Sequence, residues 1–148
     1  MSHIIKPSLL ETLNIRPADN TVLDGDLIEI FRGEEEFMKI GGLNQVTKRT
    51  LTSDIVSGNH YHLTKSEIIY VWRGIIIVYL KDPNKSEVFK TEVKEGQKFN
   101  LMPRIAHALY SPLEKSEIEE FANLAFDPKN PKNDIYPHKV FCLENNLP

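Results

Sequence analysis

A chain of 148 residues with 41% hydrophobic and 26% charged side chains has the length and composition of one soluble globular domain, which excludes a fibrous or disordered polypeptide. The net charge of -3 supplies no basic field for phosphate backbones, so no nucleic acid partner is expected, and no stretch reaches the roughly 20 apolar residues of a membrane span. The single cysteine, Cys142, excludes an internal disulfide and a cysteine metal cluster; with an opening segment unlike a secretion signal, it predicts a cytoplasmic protein.

Residues 1–23 read as a short irregular lead-in, interrupted by Pro7 and Pro17 and closed by the Asp24–Gly25 turn, with only SLLETL able to form a helical turn. LIEIFR, from Leu27 to Arg32, is strand-like, and the GEEEF run after it is a charged corner facing water. Beyond Gly41 and Gly42, Val46 to Thr52 alternate in a β pattern that leads into GNHYH. Two β-branched and aromatic runs follow, EIIYVWR and IIIVYLK, joined at Gly74. Asp82, Pro83 and Asn84 form a turn from which SEVFKTEVKEG returns as the second arm of an antiparallel hairpin. QKFNLMPRIAHALYSPL alternates again, and EEFANLAF is the last strand before a Pro- and Asn-rich tail, residues 132–148. Short strands at turn-punctuated spacing, with hardly a helical period, predict an all-β fold, a jelly-roll barrel over residues 24–131.

On a strand, alternate side chains share a face, so His60 and His62 project together while Tyr61 points away. After the LTKS corner, Glu67 opens the next strand and brings a carboxylate beside them; His107, on a later strand, supplies a third imidazole. Three imidazoles and a carboxylate form a mixed nitrogen and oxygen set for one divalent transition metal, zinc first, with iron, nickel or manganese as alternatives. A hydrogen-bonded core network is the bland alternative for a lone histidine, and His3 and His138, in terminal segments, are read as solvated. Tyr61, Tyr70, Trp72, Tyr79 and Tyr110 are read as strand packing residues, with base stacking as the sharper alternative. The parity of Glu67, Ile69 and Val71 puts Ile69 and Val71 along the pocket.

His-x-His, four residues, Glu, six residues, Gly is the spacing of His60, His62, Glu67 and Gly74, and it resembles the first cupin motif position by position. Gly96, Pro103 and His107 resemble the second, although Arg104 or Ile105 stands where a glycine commonly follows the proline, and Asp54 stands where the first motif has an earlier glycine. GNHYHLTKSE and LAFDPKNP resemble the cupin domain that closes bifunctional capsular polysaccharide enzymes, and the chain also resembles the dTDP-4-dehydrorhamnose 3,5-epimerases; GDLIEIFR matches their opening strand. The likeness runs from about Asp24 to Pro131. It implies a homodimeric, metal-dependent epimerase or isomerase of a nucleotide-linked 4-keto-deoxy sugar in surface polysaccharide biosynthesis. The alternatives are a non-catalytic metal- or sugar-binding cupin and an iron-dependent cupin dioxygenase. In the metal-free epimerases the histidine matching His60 is the catalytic base, a late tyrosine is the acid, and an arginine just before the histidine binds phosphate. Here EEFANLAF has no tyrosine and Ser57 replaces the arginine, which favours the metal-dependent version and leaves phosphate binding to Lys65 and Arg73, with Arg49 as a further candidate.

Overall fold

The computed structural model describes residues 8–23, 25–30 and 42–143. The expected helical turn is α1 (Leu9–Leu13), which buries Leu13. It is held by a reciprocal cap: the Ser8 hydroxyl accepts from the Glu11 amide at 3.2 Å, and the Ser8 amide donates to the Glu11 carboxylate at 2.7 Å. Strands follow as β1 (Arg16–Pro17), β2 (Asp19–Leu23), β3 (Gly25–Glu29), β4 (Gln45–Thr52), β5 (Val56–Tyr61), β6 (Glu67–Arg73), β7 (Ile75–Lys81), β8 (Val88–Lys94), β9 (Gln97–Leu101), β10 (Ala106–Tyr110), β11 (Lys115–Ala122) and β12 (Tyr136–Pro137). Phe31, Arg32, the GEEEF run and His3 lie outside the described residues. Among those described, no helix is long and apolar enough to cross a membrane.

Two five-stranded antiparallel sheets face each other, ordered β1-β9-β6-β11-β4 and β12-β5-β10-β7-β8, with β2 and β3 forming a separate hairpin. The chain changes sheet at nearly every connection from β4 to β11; β7 and β8, turning at Asp82 to Asn84, make the one hairpin within a sheet in that stretch. This is the jelly-roll barrel predicted from the strand pattern. The change of sheet between β6 and β7 falls at Gly74, whose φ of 88° favours glycine, and a β-carbon there would strike the Ser116 side chain. The single long alternating run after Gly96 divides into β9 and β10, because Pro103 and the left-handed Arg104 turn the chain between them.

Inward side chains of both sheets form the core: Leu51, Ile69, Val71, Phe99, Leu101 and Ile118 from one, Ile76, Val78, Leu80, Val93 and Leu109 from the other. Ile69 and Val71 therefore point inward as their parity required, but they lie within this core and not along the cavity described below. The opposite face of β6 is covered as well, with Ile68, Tyr70 and Phe121 packed against Ala18. The segment after residue 131 is laid along β5. Tyr136 and Pro137 pair with Tyr61 and His60, and Asn59 binds the chain beyond them, its Oδ1 accepting from the amides of Val140 at 2.8 Å and Phe141 at 2.9 Å.

Candidate metal centre and active site

His60 and His107 are direct cross-strand partners on β5 and β10, which puts both imidazoles on the inner face at one end of the barrel. Pairing slips by one residue beside them: His107 faces His60 while Ala108 faces Gly58, so Asn59 is the extra residue of a bulge and takes a φ of 56°. Gly58 has φ 104° there, and a β-carbon would lie 2.7 Å from the His107 carbonyl oxygen, so only glycine fits. β5 ends at Tyr61, and His62 is the first residue of the corner, not the continuation of a flat strand. Its ring still lies 4.8 Å from that of His60 and 5.5 Å from that of His107.

One potential ligand atom from each of His60, His62 and His107 lies within 4.8 Å of the others. The tautomers of two are fixed by geometry. A carbonyl can only accept, so His62 Nδ1 donates to the Asp134 carbonyl at 2.7 Å and His107 Nδ1 to the Ile105 carbonyl at 3.3 Å, leaving each Nε2 lone pair free. Burial, reinforced by the neighbouring imidazoles of His107 and His62, lowers the pKa of His60 to about 4. Burial lowers His107 to about 4 too, against the attraction of Glu67. Both are neutral near pH 7, as ligation requires.

Glu67 opens β6 on the same cavity and is 6% exposed. Burial opposes its ionisation, but Lys65, whose Nζ lies 2.9 Å from Oε1, and the nearby histidines outweigh that and hold the carboxyl below its ordinary range. Lys65, read from sequence as a substrate contact, is thus the counter-ion of Glu67 and lines the cavity with it. Arg73 is not among the lining residues; its guanidinium is 72% exposed and 3.7 Å from Glu117.

The cavity, of about 180 Å³, is completed by residues the motif did not single out, Arg49, Glu120, Leu101, Leu109 and Ile135 among them. Arg49 Nη1 meets Glu120 Oε1 at 3.0 Å and Nη2 donates to Ser57 Oγ at 2.6 Å, so an arginine from β4 reaches the position where the metal-free epimerases carry theirs in sequence. Burial, followed by the charge of Glu67, raises the pKa of Glu120, with Arg49 opposing. Alternation on β4 and β11 was the available signal: Arg49 shares a face with Leu51, and Glu120 with Ile118.

Asp134 organises the corner from the far end of the chain. Its carboxylate accepts from the amides of Leu63 at 2.8 Å, Thr64 at 3.1 Å and Lys65 at 2.8 Å, and from the Thr64 hydroxyl at 2.9 Å. Arg104, with φ 67°, stands where the second motif commonly has glycine, and its amide donates to the His62 carbonyl at 2.6 Å. The turn therefore survives the missing glycine. Of the remaining residues, His138 is half-buried with Nε2 2.7 Å from Lys81 Nζ, and so is packed and not freely solvated. Tyr61 stacks on Tyr136 at 5.3 Å and Tyr79 on Phe141 at 4.0 Å, and none of the five strand aromatics lines the cavity.

Two facing antiparallel sheets with three histidines and a glutamate at one end define a cupin barrel. The family model for the polysaccharide biosynthesis C-terminal domain matches residues 25–134, and the chain belongs to that family. Among solved structures it is similar to capsular polysaccharide assembling protein CapF from Staphylococcus aureus, at 23% identity and TM-score 0.59, over 84% of this chain and 35% of that one. It is also similar to the 3,4-ketoisomerase QdtA from Thermoanaerobacterium thermosaccharolyticum, solved with TDP-4-keto-6-deoxyglucose, at 17% identity and TM-score 0.64 over 82% of this chain and 86% of that one. A third is RmlC, a dTDP-6-deoxy-D-glucose-3,5-epimerase from Legionella pneumophila, at 13% identity and TM-score 0.62 over 78% and 68%. The chain spans about a third of the length of CapF. A comparison with curated proteins finds no match.

Proposed function

We propose that this chain is a metal-dependent epimerase or isomerase of a nucleotide-linked 4-keto-deoxy sugar in surface polysaccharide biosynthesis, acting in the cytoplasm as a homodimer. The observation that carries the reading is the convergence of His60, His62 and His107 on one cavity, two of them tautomerically fixed with Nε2 free, beside the buried carboxylate of Glu67. The three-histidine group fits a divalent transition metal, zinc first, and the reading adds Glu67, which here pairs with Lys65, as the fourth ligand. When bound, such an ion polarises a ketone and favours charge on its oxygen. The chain's own contribution is a shielded site in which Lys65 offsets the Glu67 carboxylate and Arg49 offers a cation at the rim for an anionic substrate group. The family match and the likeness to QdtA and RmlC support the substrate class.

A metal-free route has its own support, because His60 is the least buried of the three histidines and is held neutral, the state a base requires. One experiment separates the two. Protein as purified is analysed for metal and then incubated with TDP-4-keto-6-deoxyglucose in deuterated water. The metal-dependent reading expects about one equivalent of ion, its loss in His60→Ala/His62→Ala, deuterium at the carbon beside the ketone, and loss of both exchange and conversion on chelation. Conversion that survives complete metal removal favours His60 as the base. Metal-loaded protein that neither exchanges nor converts any nucleotide 4-keto sugar overturns the enzymatic reading in favour of a binding cupin.

A further inference from the structure

The cavity has two chemically different walls. His60 and His107 stand on β5 and β10 of one sheet; Arg49 and Glu120 stand on β4 and β11 of the other, whose inner face is turned toward them across the barrel. Inverting a carbon beside a ketone needs a proton to leave one face of that carbon and another to arrive on the opposite face. The histidine wall supplies groups for one face only. The late strand has no tyrosine for the other, yet it does carry a carboxylate aimed into the same space.

Resting on the functional reading above, we infer that Glu120 is the second proton-transfer group, acting on the substrate face turned away from the histidines. Its Oε1 is held by Arg49 at 3.0 Å, while Oε2 has no hydrogen-bond partner among the described residues. No buried side-chain oxygen or nitrogen there lacks a partner, so Oε2 keeps accessible surface, and Glu120 is a lining residue of the cavity. The side chain is 12% exposed, and the Arg49 clamp fixes its direction. In the step assigned to it, the C–H bond beside the ketone breaks, the proton passes to Oε2, and the electron pair moves to the carbonyl oxygen. A water molecule on the histidine side then gives a proton to the same carbon, and Glu120 releases the proton it took to solvent, so nothing is oxidised or reduced. In the reverse direction Glu120 donates.

The rival role is structural, with Glu120 serving only to hold Arg49. Glu120→Gln keeps the shape and one acceptor, and Glu120→Asp keeps the acid with a shorter reach. With TDP-4-keto-6-deoxyglucose as substrate, Glu120→Gln is expected to lower kcat by about 100-fold or more while KM stays within about threefold, with partial recovery in Glu120→Asp. Metal content and thermal midpoint should match the parent in both variants. A Glu120→Gln enzyme with kcat within about threefold of the parent overturns the assignment, as does a loss confined to KM and equal to that of Arg49→Ala. Failure of the parent protein itself to exchange or convert overturns the functional reading instead, so the two failures are distinct.

Discussion

Replacing Asp134 by Ala should loosen the corner that carries His62 from a position outside both cupin motifs. The carboxylate receives four donors, the amides of Leu63, Thr64 and Lys65 and the Thr64 hydroxyl, at 2.8 to 3.1 Å. A shielded hydrogen bond to a charged acceptor contributes about 1.5–3 kcal/mol, but the Leu63 and Thr64 groups are exposed and rebind water, so roughly 0.5 kcal/mol each is appropriate for them. The part-buried Lys65 amide contributes about 1.5 kcal/mol, for a total of about 3 kcal/mol. Asp134 also has φ 57°, a conformation that Asp tolerates better than Ala. At roughly 2–4 °C per kcal/mol for a chain of this size, the thermal midpoint should fall by roughly 6–12 °C. Because the same residue's carbonyl orients His62 through Nδ1, metal affinity should also drop by about 10- to 100-fold, read by competition with a chromophoric chelator. Asp134→Asn, which keeps one acceptor oxygen and tolerates the backbone, should lose about half as much stability. Burial opposes ionisation of this carboxyl but the amide donors prevail and hold it below its ordinary value of 3.8, so the stabilisation is complete above that pH and disappears as pH falls through the lowered value. An Asp134→Ala protein with an unchanged midpoint and unchanged metal affinity at pH 7 would refute the reasoning.

Folded-state values of about 4 for His60 and His107, against an ordinary 6.5, mean that the unfolded chain binds more protons in that interval. Chelator-treated protein should therefore lose stability as pH falls from 6.5 toward 4, with a shallower slope in His107→Gln; a flat midpoint between pH 7 and 5 contradicts this. Arg104→Gly should relieve the strain of a left-handed non-glycine residue, about 1–2 kcal/mol, less about 0.5–1 kcal/mol of added chain entropy. A net gain of about 0.5–1 kcal/mol in denaturant unfolding is expected, and a loss would mean that the Arg104 side chain holds the turn.

Local pattern and fixed spacing were enough to reach the barrel and the histidine cluster with its neighbouring glutamate. Strand residues alternate, corners need Gly, Pro or Asn, and His60, His62, Glu67 and Gly74 lie close together in the chain, so the first motif is readable without tertiary information. His107 was reachable because the second motif has its own spacing. Other features depend on which strands become neighbours. The bulge at Asn59 that turns His60 and His62 together exists only because β5 pairs with β10. Arg49 reaches Ser57 only because β4 lies beside β11 and its side chain crosses to β5, a relation with no periodicity in sequence. Asp134, in a stretch read as tail, binds a corner about seventy positions earlier.

What the sequence determined by itself was the fold class, the likeness to the cupins and the identity of the candidate ligands, because each depends on residues close in the chain or on motif spacing. What only the tertiary structure decided was the composition of the cavity: Lys65 as partner of Glu67, Glu120 facing the histidines, Arg73 outside the lining, and Asp134 as anchor of the corner. Burial, cross-strand register and the pairing of distant charges set those relations, and they come into being only when the two sheets close on each other.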